Sequence, residues 1–262
     1  MATQAPNAGQ LPLLYNALDA LNSGQHGKMK LKKAYTLPQV GQTHAVPVTV
    51  EEFSIVQRHY PIIFSAGDSP VPLALMGLNE GINVFFEEDG TPRGDAYVPA
   101  YIRRYPFLLA KLRPDADEMS LCFDPTSDIV GDFKEGATLF EDGQPSEHVK
   151  GVLDFCQKFE EAGARTQAFM QELADAGVLM DGEVAIQQND KPDQPYIYRG
   201  FKMINQEKLK ELAADKIKAW HENGLLPLIY AHLMSLDLMR FVFAKQTEQG
   251  KGPGAANGAA TN

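Results

Sequence analysis

The chain has few cysteines and no excess of positive charge, and both shortages argue against whole classes of protein. Its 262 residues include only two cysteines, Cys122 and Cys156, with no Cys-x-x-Cys spacing. Two cysteines cannot build a disulfide framework in a chain of this size, and their spacing indicates neither a zinc site nor a redox site. The formal net charge of −10 argues against nucleic acid or an anionic membrane as the main partner, since both favour clustered Lys and Arg. We therefore expect two buried free thiols and no nucleic acid partner.

Targeting and membrane-spanning signals are also missing from the sequence. The N-terminus has no basic region followed by an apolar run, which a secretory signal would need. The longest apolar run, "GLLPLIYAHLMSL", is interrupted by Pro227 and His232 and falls short of the roughly 18 apolar residues of a membrane helix. We expect a cytoplasmic protein without a membrane span.

Short catalytic motifs are absent as well. The chain contains no HExxH, GxSxG, GxGxxG or GxxxxGK[ST] pattern, and its six histidines have no spacing typical of metal ligands. We expect neither a metal nor a cofactor. His232 lies four residues after Leu228 and four before Leu236, on an apolar helix face. This position favours a buried, hydrogen-bonded core histidine over a catalytic one.

The residue patterns that are present predict an α+β fold. Residues 28–124 read as a mostly antiparallel meander of short strands with one short helix, which opens at the capping-box pair Thr49 and Glu52. Apolar residues then recur every three or four positions over 146–176, which predicts a long amphipathic helix ending at Gly177. A strand pair, "VLMDGEVAIQQ" and "PYIYRGFKMI", follows, and then a helix capped by Asn205 and a last helix from Pro227. Without alternating β and α segments, a parallel sheet is not expected.

The domain organisation follows from the same patterns. We expect a single domain over 12–245, β-rich in 28–124 and helix-rich in 146–245. The polar segment 1–11 and the Gly/Ala/Asn-rich segment 246–262 cannot bury a core, so we expect both to be disordered.

The stretch "GDAYVPAYIRRYPF", residues 94–107, is dense in tyrosine and arginine. Interpreted as a strand, it points Tyr97, Tyr101 and Arg103 to one face and turns Arg104 to the apolar side. Rigid rings beside arginine are typical of binding hot spots, although tyrosines that cap a sheet edge give the same pattern. Arg104 should pair with a carboxylate or with backbone carbonyls, because an unpaired buried guanidinium is too costly. The candidate binding residues are Tyr97, Tyr101, Arg103, Arg104, Tyr105 and His232.

Several blocks of the sequence resemble the SapC family of bacterial proteins. They are "VPLALMGLNEGINVFFEEDGTPRGDAYVPAYIRRYPF", "LCFD", "GATLFEDGQPS" and "LPLIYAHLMSL", and the similarity runs from about Pro47 to Arg240. The family takes its name from the surface-layer gene region of a Gram-negative pathogen, so the resemblance implies an accessory role in surface-layer protein production or export. Relatives encoded beside outer-membrane receptor and flavin halogenase-like genes imply protein or peptide modification instead. The family offers no catalytic residues to carry over.

Two hypotheses of different class follow from these observations. The first is a non-catalytic accessory protein that binds a protein or peptide through the tyrosine and arginine residues. The second is an enzyme acting on a peptide or protein, with scattered polar groups such as Arg103, Arg104 and His232. A groove along a sheet edge would favour the first hypothesis, and a deep pocket with converging polar groups would favour the second. The sequence does not determine the oligomeric state.

Overall fold

The structure, a computed structural model, describes residues 11–34, 36–113, 118–187 and 193–252. Within this part of the chain, 3-10 turns lie at Val50–Glu52 and Leu236–Leu238. The α-helices are α1 (Ser23–His26), α2 (Pro38–Gly41), α3 (Phe53–Val56), α4 (Ala100–Arg103), α5 (Glu147–Asp175), α6 (Gln206–Lys210), α7 (Ala214–Glu222), α8 (Leu225–Ser235) and α9 (Met239–Glu248). The strands are β1 (Asp19–Ala20), β2 (Lys30–Leu31), β3 (Ala45–Pro47), β4 (Ile62–Ser65), β5 (Pro72–Leu75), β6 (Phe107–Ala110), β7 (Ser120–Phe123), β8 (Val130–Gly131), β9 (Ala137–Thr138), β10 (Phe140–Glu141), β11 (Gln144–Pro145), β12 (Leu179–Ile186) and β13 (Tyr196–Ile204).

These elements confirm the predicted α+β class. Every strand pair among the described residues is antiparallel, as the absence of alternating β and α segments indicated. The chain divides into two compact units, of which the first comprises Met1–Leu37 and Ala100–Ala164 and the second Pro38–Pro99 and Arg165–Asn262. Each unit thus takes residues from both halves that the sequence distinguished. A single domain over 12–245 stays a prediction.

The long amphipathic helix predicted from the apolar spacing is confirmed as α5. Its inner positions include Val149, Cys156, Phe169 and Leu173, all buried, because residues three, four and seven apart share one face of a helix. Gly177 follows the helix with φ +65°, a left-handed conformation that suits glycine and ends helices. The division between the two units falls inside α5.

The first unit contains two small sheets and a hairpin. The sheets have the strand orders β1-β7-β6 and β8-β2-β9, and β10 pairs with β11. Phe107, Leu109 and Phe123 point to one side of the β6–β7 pair, where they join Val149 and Cys156 of α5 in a hydrophobic core. Alternation along the strands and the helical period of α5 together form this core.

The second unit is built around a five-stranded sheet of order β12-β13-β4-β5-β3. The predicted strand pair is confirmed as the β12–β13 hairpin, and β12 lies at one edge of the sheet. β13 pairs with β4 only at Phe201 and Lys202. The predicted cap of α6 is also confirmed, since the Asn205 side chain accepts hydrogen bonds from the backbone N–H groups of Glu207 and Lys208.

One predicted strand and one predicted boundary are wrong. Within the predicted meander, "INVFFEEDG" has the β-rich composition expected of a strand, but it is not one, and only Phe86 forms an isolated bridge, with Pro92. The buried Asn83 side chain donates to the Val40 and Thr43 carbonyls and accepts from the Phe85 and Phe86 N–H groups, so it supplies hydrogen bonds that a neighbouring strand would otherwise provide.

The predicted disordered tail also begins too early. α9 continues to Glu248, and the Gln246 side chain is fully buried, accepting a hydrogen bond from the Leu78 N–H and donating one to Asn79. These hydrogen bonds hold the helix beyond the point where its composition becomes polar. The rest of the predicted disordered ends, residues 1–10 and 253–262, lies outside the described residues.

Candidate functional site

The stretch 94–107 is not a strand. Residues 96–99 form an irregular connection, Ala100–Arg103 form α4, and β6 begins only at Phe107, after a cis Tyr105–Pro106 bond. Proline is compatible with the entrance of a helix but not with its interior, so Pro99 and Pro106 suit the two ends of this short turn. The predicted register, with Tyr97, Tyr101 and Arg103 in one exposed row, is therefore wrong.

Arg104 is buried in the first unit and forms an ion pair there. It is 5% exposed, and its Nη1 lies 3.5 Å from Oε1 of the equally buried Glu160. Its Cζ lies 4.4 Å from the centre of the Tyr101 ring and 4.3 Å from that of Phe159, which adds cation–π attraction. The prediction that Arg104 pairs with a carboxylate is confirmed, although its orientation comes from a helical turn rather than from strand alternation.

Tyr101 and Tyr105 are core residues of the first unit rather than surface rings. The Tyr101 hydroxyl donates to the Leu13 carbonyl at 3.0 Å, and the Tyr105 hydroxyl donates to Oδ2 of Asp124 at 3.3 Å. Tyr101 is 6% exposed, and burial raises the pKa of its phenol. With its ring covered and its hydroxyl bonded to the backbone, Tyr101 presents little to a partner.

The remaining members of the tyrosine and arginine stretch have different surroundings. Arg103 is exposed on α4, with its Cζ 5.3 Å from the centre of the Phe155 ring. Tyr97 belongs to the second unit and is half-buried, donating through its hydroxyl to Oε1 of Glu52 at 2.9 Å. Of the candidate binding residues, the structure brings Tyr101, Arg104 and Tyr105 into one buried cluster and leaves Arg103 at the surface.

His232 is a structural residue of the second unit. It is fully buried, with Nδ1 2.8 Å from the Ile62 carbonyl and Nε2 accepting from the Ile204 N–H at 3.2 Å. Its ring stacks on Phe64 with centroids 4.4 Å apart. Burial lowers the pKa of this imidazole to about 4, so it is neutral at pH 7. These contacts fix α8 against β4 and β13, which is the core role that the helical spacing favoured.

A groove along the edge of the second unit's sheet was not foreseen. It has a volume of about 760 Å³ and lies between residues 184–187, at the end of β12, and one face of residues 236–248. We call it the β12–α9 groove. Its lining is mainly apolar and includes Val184, Ile186, Met239, Phe241 and Phe243. Concave, mostly apolar sites of roughly 300–1,000 Å³ are typical of ligand-binding sites in proteins.

Phe241, in the lining of the groove, also belongs to an exposed apolar face of α8 and α9. Tyr230, Met234 and Phe241 are 49%, 69% and 47% exposed and recur at spacings of four and seven residues, so they lie on one side of the helical segment. The signal was present in the sequence, because "PLIYAHLMSLDLMRFVF" has only two charged residues, Asp237 and Arg240, whereas a surface helix is normally polar along one whole face.

The same segment, Leu225–Glu248, is long and apolar enough to cross a membrane when judged by length and composition alone. It contains 24 residues, and 39% of its most apolar stretch is buried. This is weak evidence, because core helices of other proteins meet the same criterion. In this fold the inner face carries the hydrogen-bonded His232 and Gln246.

Polar groups that chemistry would need are sparse in the described residues. No group of three or more His, Cys, Asp and Glu there could hold a metal ion. Both cysteines are free and buried, as expected from the sequence. Burial raises the pKa of the Cys122 thiol to about 11 and that of Cys156 to about 12, which disfavours the nucleophilic thiolate.

Comparison with known proteins gives one clear match. The SapC family model matches residues 21–241, which is most of the chain. No curated protein and no solved structure matches. The matched range includes the tyrosine and arginine stretch, α5, the β12–β13 hairpin and α8. The chain therefore belongs to the SapC family.

Proposed function

We propose that this SapC-family chain is an accessory protein that binds another protein, and that the β12–α9 groove holds the bound segment. The observation that carries the proposal is the exposed Phe241, which lines the groove and belongs to the apolar face with Tyr230 and Met234. An apolar groove continuous with exposed aromatic and methionine side chains is typical of protein–protein recognition. A groove at a sheet edge is also the feature that favours binding over catalysis.

The family context supplies the setting of the proposal. The resemblance implies a role in the production of surface-layer or outer-membrane proteins, and we propose that the chain binds such a protein in the cytoplasm, before export. The enzyme hypothesis receives less support, because Arg104 and His232 are each buried in hydrogen-bonded or ion-paired settings and neither lines the groove.

The test is partner capture with a matched pair of variants. In Phe241→Asp, a charge is placed in the groove; in Leu112→Asp, the same charge replaces another exposed apolar residue, 57% exposed, in the first unit. The wild-type chain and both variants are used to capture proteins from cells of the source bacterium, and the captured protein is purified for direct affinity measurement. We expect a partner that binds the wild type and Leu112→Asp equally and Phe241→Asp at least 10-fold more weakly, about 1.4 kcal/mol or more.

A folding control accompanies the capture. Surface substitutions usually change stability by no more than about 0.5 kcal/mol, so both variants should unfold close to the wild-type midpoint. If the captured partner binds all three proteins with the same affinity, the groove is not the binding face and the proposal is wrong.

A further inference from the structure

We infer that the partner binds by adding a strand to β12, so that an extended segment of another chain lies in the β12–α9 groove as a sixth strand of the sheet. The inference rests on the proposed function and specifies its binding mode and the chemistry of the bound segment. The segment is extended, carries apolar side chains at every second position, and has a basic side chain that reaches Glu248.

β12 is an edge strand of the five-stranded sheet. β12 is eight residues long, and β13 pairs with one of its sides. The strand order ends at β12, so among the described residues no strand pairs with its other side. Backbone N–H and C=O groups on the open side of an edge strand are a template for another chain. At about 3.3 Å per residue, eight residues offer an edge of about 26 Å.

The groove gives a strand added to β12 a second surface to contact, which the edge of the sheet alone would not provide. Residues 184–187 form one wall, and α9 with the preceding 3-10 turn forms the other, so a strand placed on β12 lies against a helix face. Recognition by strand addition takes affinity from main-chain hydrogen bonds and specificity from pockets for alternate side chains. Phe241, Phe243 and Ala244 supply an apolar wall for those side chains.

Charge favours a foreign, basic segment over a second copy of this chain. Each copy has a formal net charge of −10, so two copies repel, whereas a basic partner is attracted. On the strand itself, Asp181 and Glu183 already pair with Lys202 and Arg199 of β13. Within the groove Asp237 pairs with Arg240, which leaves Glu248 as a groove carboxylate with no ion pair among the described residues. A lysine or arginine of the bound segment can complete that pair.

The test uses synthetic peptides rather than the captured protein. The probe is a capped peptide of eight alternating valine and threonine residues with a lysine at each end. Two further versions carry N-methyl groups on alternate peptide bonds, one version in each register. An added strand directs only every second N–H toward the neighbouring strand. Calorimetry should therefore show that one N-methylated version binds at least 10-fold more weakly than the probe, while the other keeps its affinity within about 3-fold.

Amide hydrogen exchange supplies the second readout. Probe binding should slow exchange at alternate amides of β12 in the wild type and in Leu112→Asp, but not in Phe241→Asp. Equal affinity of both N-methylated versions, no slowed exchange in β12, or no binding of the probe at about 1 mM would each overturn strand addition. Formation of a homodimer that Phe241→Asp dissociates would also overturn it, because the occupant would then be a second copy.

These outcomes are separate from those of the proposed function. A captured partner that is lost in Phe241→Asp, together with a probe that leaves β12 unprotected, keeps the groove as the binding face and rejects the strand geometry. A captured partner that binds the wild type and Phe241→Asp with the same affinity would reject the proposed function itself.

Discussion

Arg104 gives a direct test of what the buried arginine of the tyrosine and arginine stretch contributes, because its exposed neighbour Arg103 provides a matched control. The Arg104 side chain is 3% exposed and that of Glu160 is 6% exposed, with 3.5 Å between Nη1 and Oε1. Arg104→Ala removes the cation and leaves Glu160 as a buried carboxylate without it. Breaking a buried ion pair from one side costs about 3–5 kcal/mol, because the remaining charge keeps its desolvation penalty. The lost packing against the Tyr101 and Phe159 rings adds to this cost.

The assay is urea denaturation of four proteins, with the free energy of unfolding obtained from midpoint and slope. Arg103→Ala should change stability by about 0.5 kcal/mol or less, since Arg103 is exposed. The double variant Arg104→Met with Glu160→Leu removes both charges and should be more stable than Arg104→Ala, because apolar replacement of a whole buried pair is often neutral. If Arg104→Ala loses less than about 1 kcal/mol, or if both arginine variants lose the same amount, the buried pair does not contribute as argued.

Three further predictions concern the core. Cys122 and Cys156 should resist a thiol reagent in the native protein and react after unfolding, because burial raises both thiol pKa values; rapid native labelling would contradict this. Because burial lowers the folded pKa of His232 to about 4, below the ordinary 6.5, the unfolded chain binds the proton more readily, so stability should fall by about 3 kcal/mol between pH 6.5 and pH 4. The urea midpoint should fall less over this pH range in His232→Gln than in the wild type. The same pH dependence of the midpoint in both proteins would refute the assignment. Phe159→Ala should cost less than the roughly 3–5 kcal/mol of a fully buried phenylalanine, since this ring is only half-buried, and a denaturation midpoint measures the difference.

Elements specified by neighbouring residues were predictable from the sequence. The α5 period, the left-handed Gly177, the Asn205 cap and the Thr49–Glu52 capping box each depend on residues within a few positions of one another. Local spacing decides these features because the hydrogen bonds concerned close within one or two turns.

The stretch 94–107 shows where local spacing fails. Tyrosines and arginines separated by small apolar residues fit a strand face, but they also fit a single helical turn between two prolines. Tertiary contacts decide between the strand and the helical turn. Arg104 forms an ion pair with Glu160, and Tyr101 donates a hydrogen bond to Leu13, and both partners are distant along the chain. These partners are 56 and 88 residues away, so the residues close to the stretch in sequence do not indicate them. Burial of the rings could therefore not be inferred from the local pattern.

The groove was beyond sequence reasoning for a related reason. A strand pair was predicted, but whether β12 or β13 forms the sheet edge depends on which of them pairs with β4, and Phe201 and Lys202 of β13 make that pairing. The strand order therefore decides which strand has an unpaired edge beside α9. Sequence patterns identify individual strands far better than they identify which strands pair with each other.

The orientation of the helical segment 225–248 links stability to the binding that we propose. The charged Asp237, Lys245 and Glu248 lie on the same side of this segment as Phe241, so burial of apolar area already favours turning that side away from the sheet. His232 and Gln246 strengthen the choice, because each is fully buried and hydrogen-bonded, and a buried polar group without a partner costs about 1–3 kcal/mol. Turning the segment about its axis would break both sets of hydrogen bonds. The two polar residues thus help to keep Tyr230, Met234 and Phe241 at the surface, where the apolar face is available to the partner that we propose.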